Sequence, residues 1–331
     1  MSNVKEVLGS YSVDIINTIN DNLSTITPND LKESSIYLTK AGGKMLRPCL
    51  TLISAEAVGG KKESALNSAA AIELIHTFSL IHDDIMDDDD VRRGMPAVHK
   101  AWNDALAILS GDTLFSKAFQ MIVTTNEKDV SCEQTNKALS TVADACLYIC
   151  EGQAADIGFE DSYDVSEDEY MDMIFKKTGA LIAAATRTGA IMGGASDEIV
   201  DVMYDYGRLI GLAFQIQDDY LDLVSDEESL GKPIGSDIAK GKMTLIVVKA
   251  LGEASDEDSE ILLKILKDEN SSQEDIAIVL DLFNKYGSIE YARQIAQDCV
   301  EEAKQLLKIL PDSESKNALE MIADFVLERH S

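Results

Sequence analysis

Long hydrophobic runs are scarce in this chain. No apolar stretch approaches the ~20 residues that a membrane-crossing helix takes, so no membrane span is expected. The first residues, Met1-Ser2-Asn3-Val4-Lys5-Glu6, lack the basic and apolar regions of a secretory signal. Cysteine is thin as well. The five present (Cys49, Cys132, Cys146, Cys150, Cys299) are odd in number, without a CxxC pair or an interleaved histidine. That excludes a disulfide framework and a thiolate zinc site, and a reducing, cytoplasmic setting is expected. Basic residues are few: Lys+Arg 29 against Asp+Glu 59 leaves a formal net charge of −30. A surface that negative repels phosphate backbones and anionic lipid, which excludes nucleic acid and membrane-surface binding as general functions. Only five prolines occur, so little of the chain is barred from helix.

What is present is an ordinary globular complement of apolar residues, 45% of 331. Length alone suggests two domains at roughly 150 residues each. No linker is visible, and the expected organisation is a single domain over 1–331. Apolar residues recur at helical spacing in most segments, without sustained strand-like alternation, so the fold class is all-α. Helices are expected near 4–23, 30–40, 46–58, 63–88, 101–125, 132–157, 168–193, 197–225, 241–252, 259–267, 273–285, 288–309 and 315–329. Pro48 suits a helix's first turn and Gly59-Gly60 a helix end. The acidic stretches 160–169 and 253–260 read as solvated loops or helix starts, because neither has the ligand spacing and central glycine of a calcium loop.

Two aspartate clusters stand out. Ile81-His82-Asp83-Asp84-Ile85-Met86-Asp87 closes an otherwise apolar helix, where acids oppose the helix dipole. At about 100° per residue, His76, Ser79, Asp83 and Asp87 share one stripe. The second, Gln215-Ile216-Gln217-Asp218-Asp219-Tyr220-Leu221-Asp222, repeats Asp-Asp-x-x-Asp, with Gly211, Gln215, Asp218, Asp219 and Asp222 on one face. Each cluster alone reads as a solvated acidic face. Together, two helices with the same triad could face each other across a cavity, where hard oxygen ligands suit magnesium holding a phosphate-bearing substrate.

Scarce cations lie close by in sequence. Gly42-Gly43-Lys44-Met45-Leu46-Arg47-Pro48 puts two of them near a helix N-terminus that favours anions. Val91-Arg92-Arg93-Gly94 is a short turn whose adjacent arginines point apart and could serve two different anions. Lys177-Thr178 follows, then the glycine loop 231–242 with Lys232 and Lys242.

In this order the motifs resemble those of the trans-isoprenyl diphosphate synthases. They are GGKxxRP at 42–48, DDIMD at 83–87 followed by RRG at 92–94, Gly111-Asp112, Gly152-Gln153-x-x-Asp156, Lys177-Thr178, FQIQDDYLD at 214–222 and GKPxGxDxxxGK at 231–242. The C-terminus, ending Leu327-Glu328-Arg329-His330-Ser331, departs in being less basic than in some members. The resemblance implies an isoprenoid synthase-type helical bundle around a central cavity with two facing Asp-rich helices, acting as a homodimer. It implies condensation of isopentenyl diphosphate with dimethylallyl, geranyl or farnesyl diphosphate, assisted by two to three Mg2+ ions. Asp83, Asp87 and Asp218 would bind the metal, supported by Asp84, Asp219 and Asp222. Arg92, Lys177, Thr178, Gln215, Lys232 and Lys242 would attend the allylic diphosphate, and Lys44, Arg47, His76 and Arg93 the isopentenyl diphosphate. Lys177, Thr178 and Gln215 would act at the ionising carbon, with no acid–base histidine required.

Product length would depend on the residues before the first motif. An aromatic five before it and a small residue four before it, here Phe78 and Ser79, resemble the archaeal type that makes the twenty-carbon geranylgeranyl diphosphate. A farnesyl or mixed product and longer chains are the alternatives. A terpene cyclase would lack GGKxxRP and normally replaces the second Asp-rich motif. A non-catalytic prenyl-diphosphate-binding subunit usually loses carboxylates of one cluster, and both are intact here.

Overall fold

The computed structural model describes residues 4–125, 130–160, 162–224, 235–268 and 271–328. These are overwhelmingly helical, as the apolar spacing requires. In chain order they form α1 (Val4–Leu23), α2 (Asn29–Lys40), α3 (Leu46–Ala57) and α4 (Lys62–Met86). A hairpin of β1 (Val91–Arg92) and β2 (Met95–Pro96) follows, then α5 (Val98–Ala101), α6 (Asp104–Val123) and α7 (Cys132–Glu160). Next come α8 (Glu167–Ile174), a π-helical turn (Phe175–Gly179), α9 (Ala180–Met192) and α10 (Asp197–Val224). The chain continues with α11 (Ser236–Ala239), α12 (Leu245–Glu253), α13 (Asp256–Leu266), α14 (Gln273–Lys285), α15 (Ser288–Leu306) and α16 (Glu314–Glu328).

The expected helices are all present, with interruptions that have local causes. The expected helix 101–125 breaks at Asn103, whose side chain accepts from the Leu106 N–H and starts α6 afresh. The expected helix 168–193 is split by the π turn. Capping explains several starts. Ser166 with Glu169 and Ser272 with Asp275 form capping boxes, and Ser255 caps α13, whose first turn is acidic where the dipole favours acids. The acidic stretches are thus helix starts, as expected. Pro48 lies in the first turn of α3, where its missing N–H leaves no bond unmade.

The chain resolves into two compact units. The first holds Met1–Cys146, Leu181–Gly207 and Leu307–Met321; the second holds Leu147–Ala180, Arg208–Leu306 and Ile322–Ser331. In the first, α4 packs against α6, α3 and α1. Its residues Ala69–Ile75 are all buried, a helix apolar on nearly every side and therefore interior. In the second, α12 packs against α15, α8 and α14.

One expectation needs correction. By length and mean hydropathy, α4 and α6 are both apolar enough to cross a membrane. Occasional polar positions such as Glu73 interrupt the apolar run without lowering its average enough. Most of the apolar window of α4 is nevertheless buried within the protein. The window of α6 is less covered, and Ile108, Leu109 and Val123 are exposed on it.

Candidate active site

In the first unit the hairpin turn explains the paired arginines. Val91 pairs with Pro96 and Arg92 with Met95, leaving Arg93-Gly94 as a two-residue loop. Both have positive φ, 52° and 74°, as the tight I′ turn demands, and glycine meets that demand without strain. The turn sends the two side chains apart. Arg92 Nε donates to Asp84 Oδ1 at 2.6 Å, and Arg92 Nη2 to Asp89 Oδ2 at 3.3 Å. The Arg93 guanidinium donates to the carbonyls of Gly42 and of Leu38, the latter at 3.3 Å. It lies flat on Gly43, where a Cβ would meet it at 3.0 Å, so the glycine pair of the GGK motif serves as an arginine seat.

Around that seat gather the other cations expected to hold an anion. Arg47 Nη1 lies 3.4 Å from His76 Nε2. A guanidinium can only donate, so Nε2 accepts and the imidazole is neutral with its proton on Nδ1. Burial, and then Arg47, Arg93 and Arg92, hold the His76 pKa well below its usual value. Burial also brings Arg47 down to about 10, and its Nε is buried without a hydrogen-bond partner. Glu73, only 2% exposed, is the acid of this cluster; burial pushes it up to about 7 against the pull of Arg93 and Arg47. The sequence reading passed over Glu73, whose one signal was an acid inside an apolar helix. Lys44 is exposed on the loop before α3.

On α4, Asp83 is half-buried, Asp87 exposed, and Asp84 1% exposed against Arg92. Burial raises the Asp84 pKa although Arg92 opposes it, and its Oδ2 is buried without a partner. Upstream, the half-buried ring of Phe78 meets Phe115 edge-on at 5.2 Å, and Phe115 meets Phe119 at 5.0 Å. Ser79 Oγ donates to the His76 carbonyl at 2.9 Å.

In the second unit the π turn presents Lys177 and Thr178, and such turns widen a helix where function asks for an unusual side-chain direction. Two glycines let neighbouring backbones close on it. A Cβ on Gly152 of α7 would come within 2.3 Å of the Lys177 nitrogen, and one on Gly211 of α10 within 2.4 Å of Gly179 Cα. The Lys177 ammonium pairs with Asp156, also of α7. Thr178 Oγ1 donates to Gln215 Oε1 at 2.9 Å, and Gln215 Nε2 to Asp219 Oδ1 at 3.0 Å. Tyr170, 1% exposed and unremarked in the sequence, donates to Asp219 Oδ2. Burial pushes Asp219 up to about 7. Asp222, 1% exposed, accepts from Ser236 Oγ at 2.8 Å and from the Asp237 N–H at 3.0 Å. Asp218 is exposed, as is Lys242, whereas Lys232 falls in 225–234, outside the described residues.

Among the described residues, no three His, Cys, Asp or Glu side chains converge into a metal cage. The donors nevertheless fit magnesium. This ion usually takes one or two carboxylates from a protein and completes its octahedron with water and substrate phosphate. Asp83 and Asp87, one turn apart in the first unit, are hard oxygen donors of that kind, and the second unit offers Asp218.

The polyprenyl synthetase family matches residues 28–283. A short chain isoprenyl diphosphate synthase from Methanothermobacter thermautotrophicus is 56% identical over 99% of this chain and 99% of its own. A geranylfarnesyl diphosphate synthase from Natronomonas pharaonis is 40% identical over 96% of this chain and 95% of its own. The crystal structure of a geranylgeranyl pyrophosphate synthetase from Pyrococcus horikoshii superposes with a TM-score of 0.93 at 43% identity, covering 98% of each chain. That of a polyprenyl synthase from Caulobacter crescentus, complexed with calcium and isoprenyl diphosphate, gives 0.87 at 31% identity, covering 100% of this chain and 99% of that one. Matched over most of its length by the family and almost end to end by these relatives, this all-α chain belongs to the polyprenyl synthetase family and is a transferase.

Proposed function

We propose that this short-chain synthase joins isopentenyl diphosphate head to tail to allylic diphosphates and stops at twenty carbons. The observation that carries the reading is the cation pocket of the first unit. In a chain of net charge −30, Arg47 and Arg93 flank a neutral His76, and a buried Arg47 Nε has no partner. Gathering scarce cations around an unmatched buried donor fits an anion with several oxygens, such as the diphosphate of isopentenyl diphosphate. Lys44 would reach the same group from the loop.

Arg92, Lys177, Lys232 and Lys242 would hold the allylic diphosphate, with Arg92 and Lys177 leaving Asp84 and Asp156 when it arrives. Asp83, Asp87 and Asp218 would hold Mg2+, backed by Asp84, Asp219 and Asp222, and the calcium and isoprenyl diphosphate of the Caulobacter relative support a divalent cation accompanying the prenyl diphosphate. When bound, the ion neutralises charge growing on the departing diphosphate. Thr178 and Gln215 would turn oxygens, not nucleophiles, toward the allylic cation, so it survives until the isopentenyl double bond attacks. The proton then lost needs no protein base, in keeping with a His76 held neutral and paired with Arg47.

The Phe78–Phe115–Phe119 stack is a candidate floor, with small Ser79 beside it, and it supports the twenty-carbon product. The exposed apolar residues of α6 support a homodimer, and five free cysteines support a reducing, cytoplasmic setting. The experiment is to incubate the protein with Mg2+, labelled isopentenyl diphosphate and, separately, five-, ten- and fifteen-carbon allylic diphosphates. The dephosphorylated products are then sized. A twenty-carbon ceiling from every primer is expected. A fifteen- or twenty-five-carbon ceiling overturns the product assignment, and no condensation overturns the reaction.

A further inference from the structure

The second unit contains an unbroken hydrogen-bond relay that ends at the residues assigned to the allylic cation. The Tyr170 hydroxyl donates to Asp219 Oδ2. Asp219 Oδ1 accepts from Gln215 Nε2 at 3.0 Å, and Gln215 Oε1 accepts from Thr178 Oγ1 at 2.9 Å. Tyr170 is 1% exposed and Asp219 8%, while Gln215 and Thr178 are half-buried at the other end.

We propose that Tyr170 and Asp219 are positioning residues that fix the orientation of the Gln215 amide. Asp219 is the second carboxylate of its motif, and here it acts through Gln215. The chemistry of the groups leaves one arrangement. Both Asp219 oxygens already accept, one from Tyr170 and one from Gln215 Nε2, so the amide nitrogen faces Asp219 and the amide oxygen faces Thr178. The Tyr170 hydroxyl donates to Asp219 Oδ2, and this fixes the rotation of the carboxylate. With the relay in place, the group at the cation's side is a carbonyl oxygen carrying partial negative charge. Without it, the amide can turn over and bring N–H groups to that side, where they oppose a developing positive charge.

The consequence rests on the prenyl-transfer reading and is specific to it. When the allylic C–O bond breaks, the electron pair leaves with the diphosphate. The cation is then consumed by the isopentenyl double bond, or by water, whose oxygen adds and whose proton is lost to solvent. The first route gives a longer diphosphate and the second a prenyl alcohol. A disordered Gln215 oxygen shifts the partition toward the alcohol without weakening diphosphate binding.

The test compares Tyr170→Phe, Gln215→Leu and the double variant with the full-length wild type, using Mg2+, isopentenyl diphosphate and geranyl diphosphate. Condensation and prenyl alcohol are both quantified. Tyr170→Phe keeps the buried ring and is expected to lower kcat roughly tenfold. KM for both substrates should stay within about twofold, and the alcohol fraction should rise. In the Gln215→Leu background the same change should cost nothing further, because the two residues act as one unit. Should Tyr170→Phe fail to fold, Asp219→Asn of nearly identical shape is read by its alcohol fraction and by the loss of that effect in the Gln215→Leu background, since its KM would also report the ion that Asp219 backs. An unchanged partition in a folded variant, or an equal loss with and without Gln215, overturns the assignment. A wild type that condenses nothing overturns the prenyl-transfer reading instead, so the two failures are distinguishable.

Discussion

The helices α4 and α10 carry the same pattern, Asp-Asp-x-x-Asp, and use it differently. At the first position neither aspartate is buried: Asp83 is half-buried and Asp218 exposed. The second aspartates are both buried, but Asp84 is held by the cation Arg92 and Asp219 by the neutral donors Tyr170 and Gln215. The third aspartates part company. Asp87 falls one residue beyond the end of α4, at its C-cap, and turns to solvent. Asp222 is still inside α10, 1% exposed, and holds the start of α11. Equal spacing gives equal helical phase, but what packs beside each carboxylate decides whether it faces solvent or serves as scaffold.

The largest expected effect tests where the motifs agree. Asp83→Ala and Asp218→Ala should each lower condensation by about a thousandfold or more, as removal of a carboxylate that holds a catalytic ion does. Neither should change the free energy of unfolding by more than about 0.5 kcal/mol, because neither is buried. A large stability loss at either one would show that it, too, is scaffold.

The third positions should then separate. Asp222→Ala leaves the Ser236 hydroxyl and the Asp237 N–H without their acceptor and is expected to cost about 2–3 kcal/mol in urea unfolding. Asp87→Ala should cost less than about 0.5 kcal/mol while still lowering activity. Equal losses from the two would erase the distinction between ligand and scaffold.

A third contrast lies further up α4. Glu73 stands ten residues before Asp83, where α10 has Arg208 ten before Asp218. The Glu73 carboxyl is raised from 4.5 to about 7, chiefly by burial. A raised carboxyl contributes stability that is complete below about pH 4.5 and is lost as pH rises through about 7. Glu73→Gln removes that dependence. Relative to wild type it should therefore gain about 2 kcal/mol between about pH 5.5 and about pH 8. A flat difference across that range would mean that Arg47 and Arg93 hold Glu73 ionised throughout.

Much of this was legible in the sequence because it depends on local rules. Helices followed from apolar spacing, and the two motifs from repetition. The divergence of Arg92 and Arg93 was read from adjacency, and the structure gives its cause in a turn with two positive φ values. What the sequence concealed depends on partners distant along the chain. Tyr170 is one tyrosine among ten until the fold brings it to Asp219, 49 residues on. The π turn left no periodicity of its own, because a five-residue widening shifts phase without breaking the apolar run. The Gly152 and Gly211 approaches explain it only once α7 and α10 are known to flank it.

The smallest expected effect on turnover concerns the residues just before each motif. Phe78 is five before Asp83, whereas α10 has Ala213 five before Asp218. On a helical wheel Phe78 points well away from Asp83, so the proposal that it floors the growing chain rests on the resemblance and not on this geometry. Its ring is half-buried and shares its contact edge with Phe115, which stays in place when Phe78 is truncated. Phe78→Ala should therefore cost only about 1 kcal/mol. The space it vacates, bounded by Phe115 and Phe119, should admit one more five-carbon unit, moving the main product from twenty to twenty-five carbons with kcat for the first condensation little changed. A rise in the longer product with Phe115→Ala but not with Phe78→Ala would place the floor on α6 rather than α4. The α4 motif would then differ from that of α10 in its carboxylates alone.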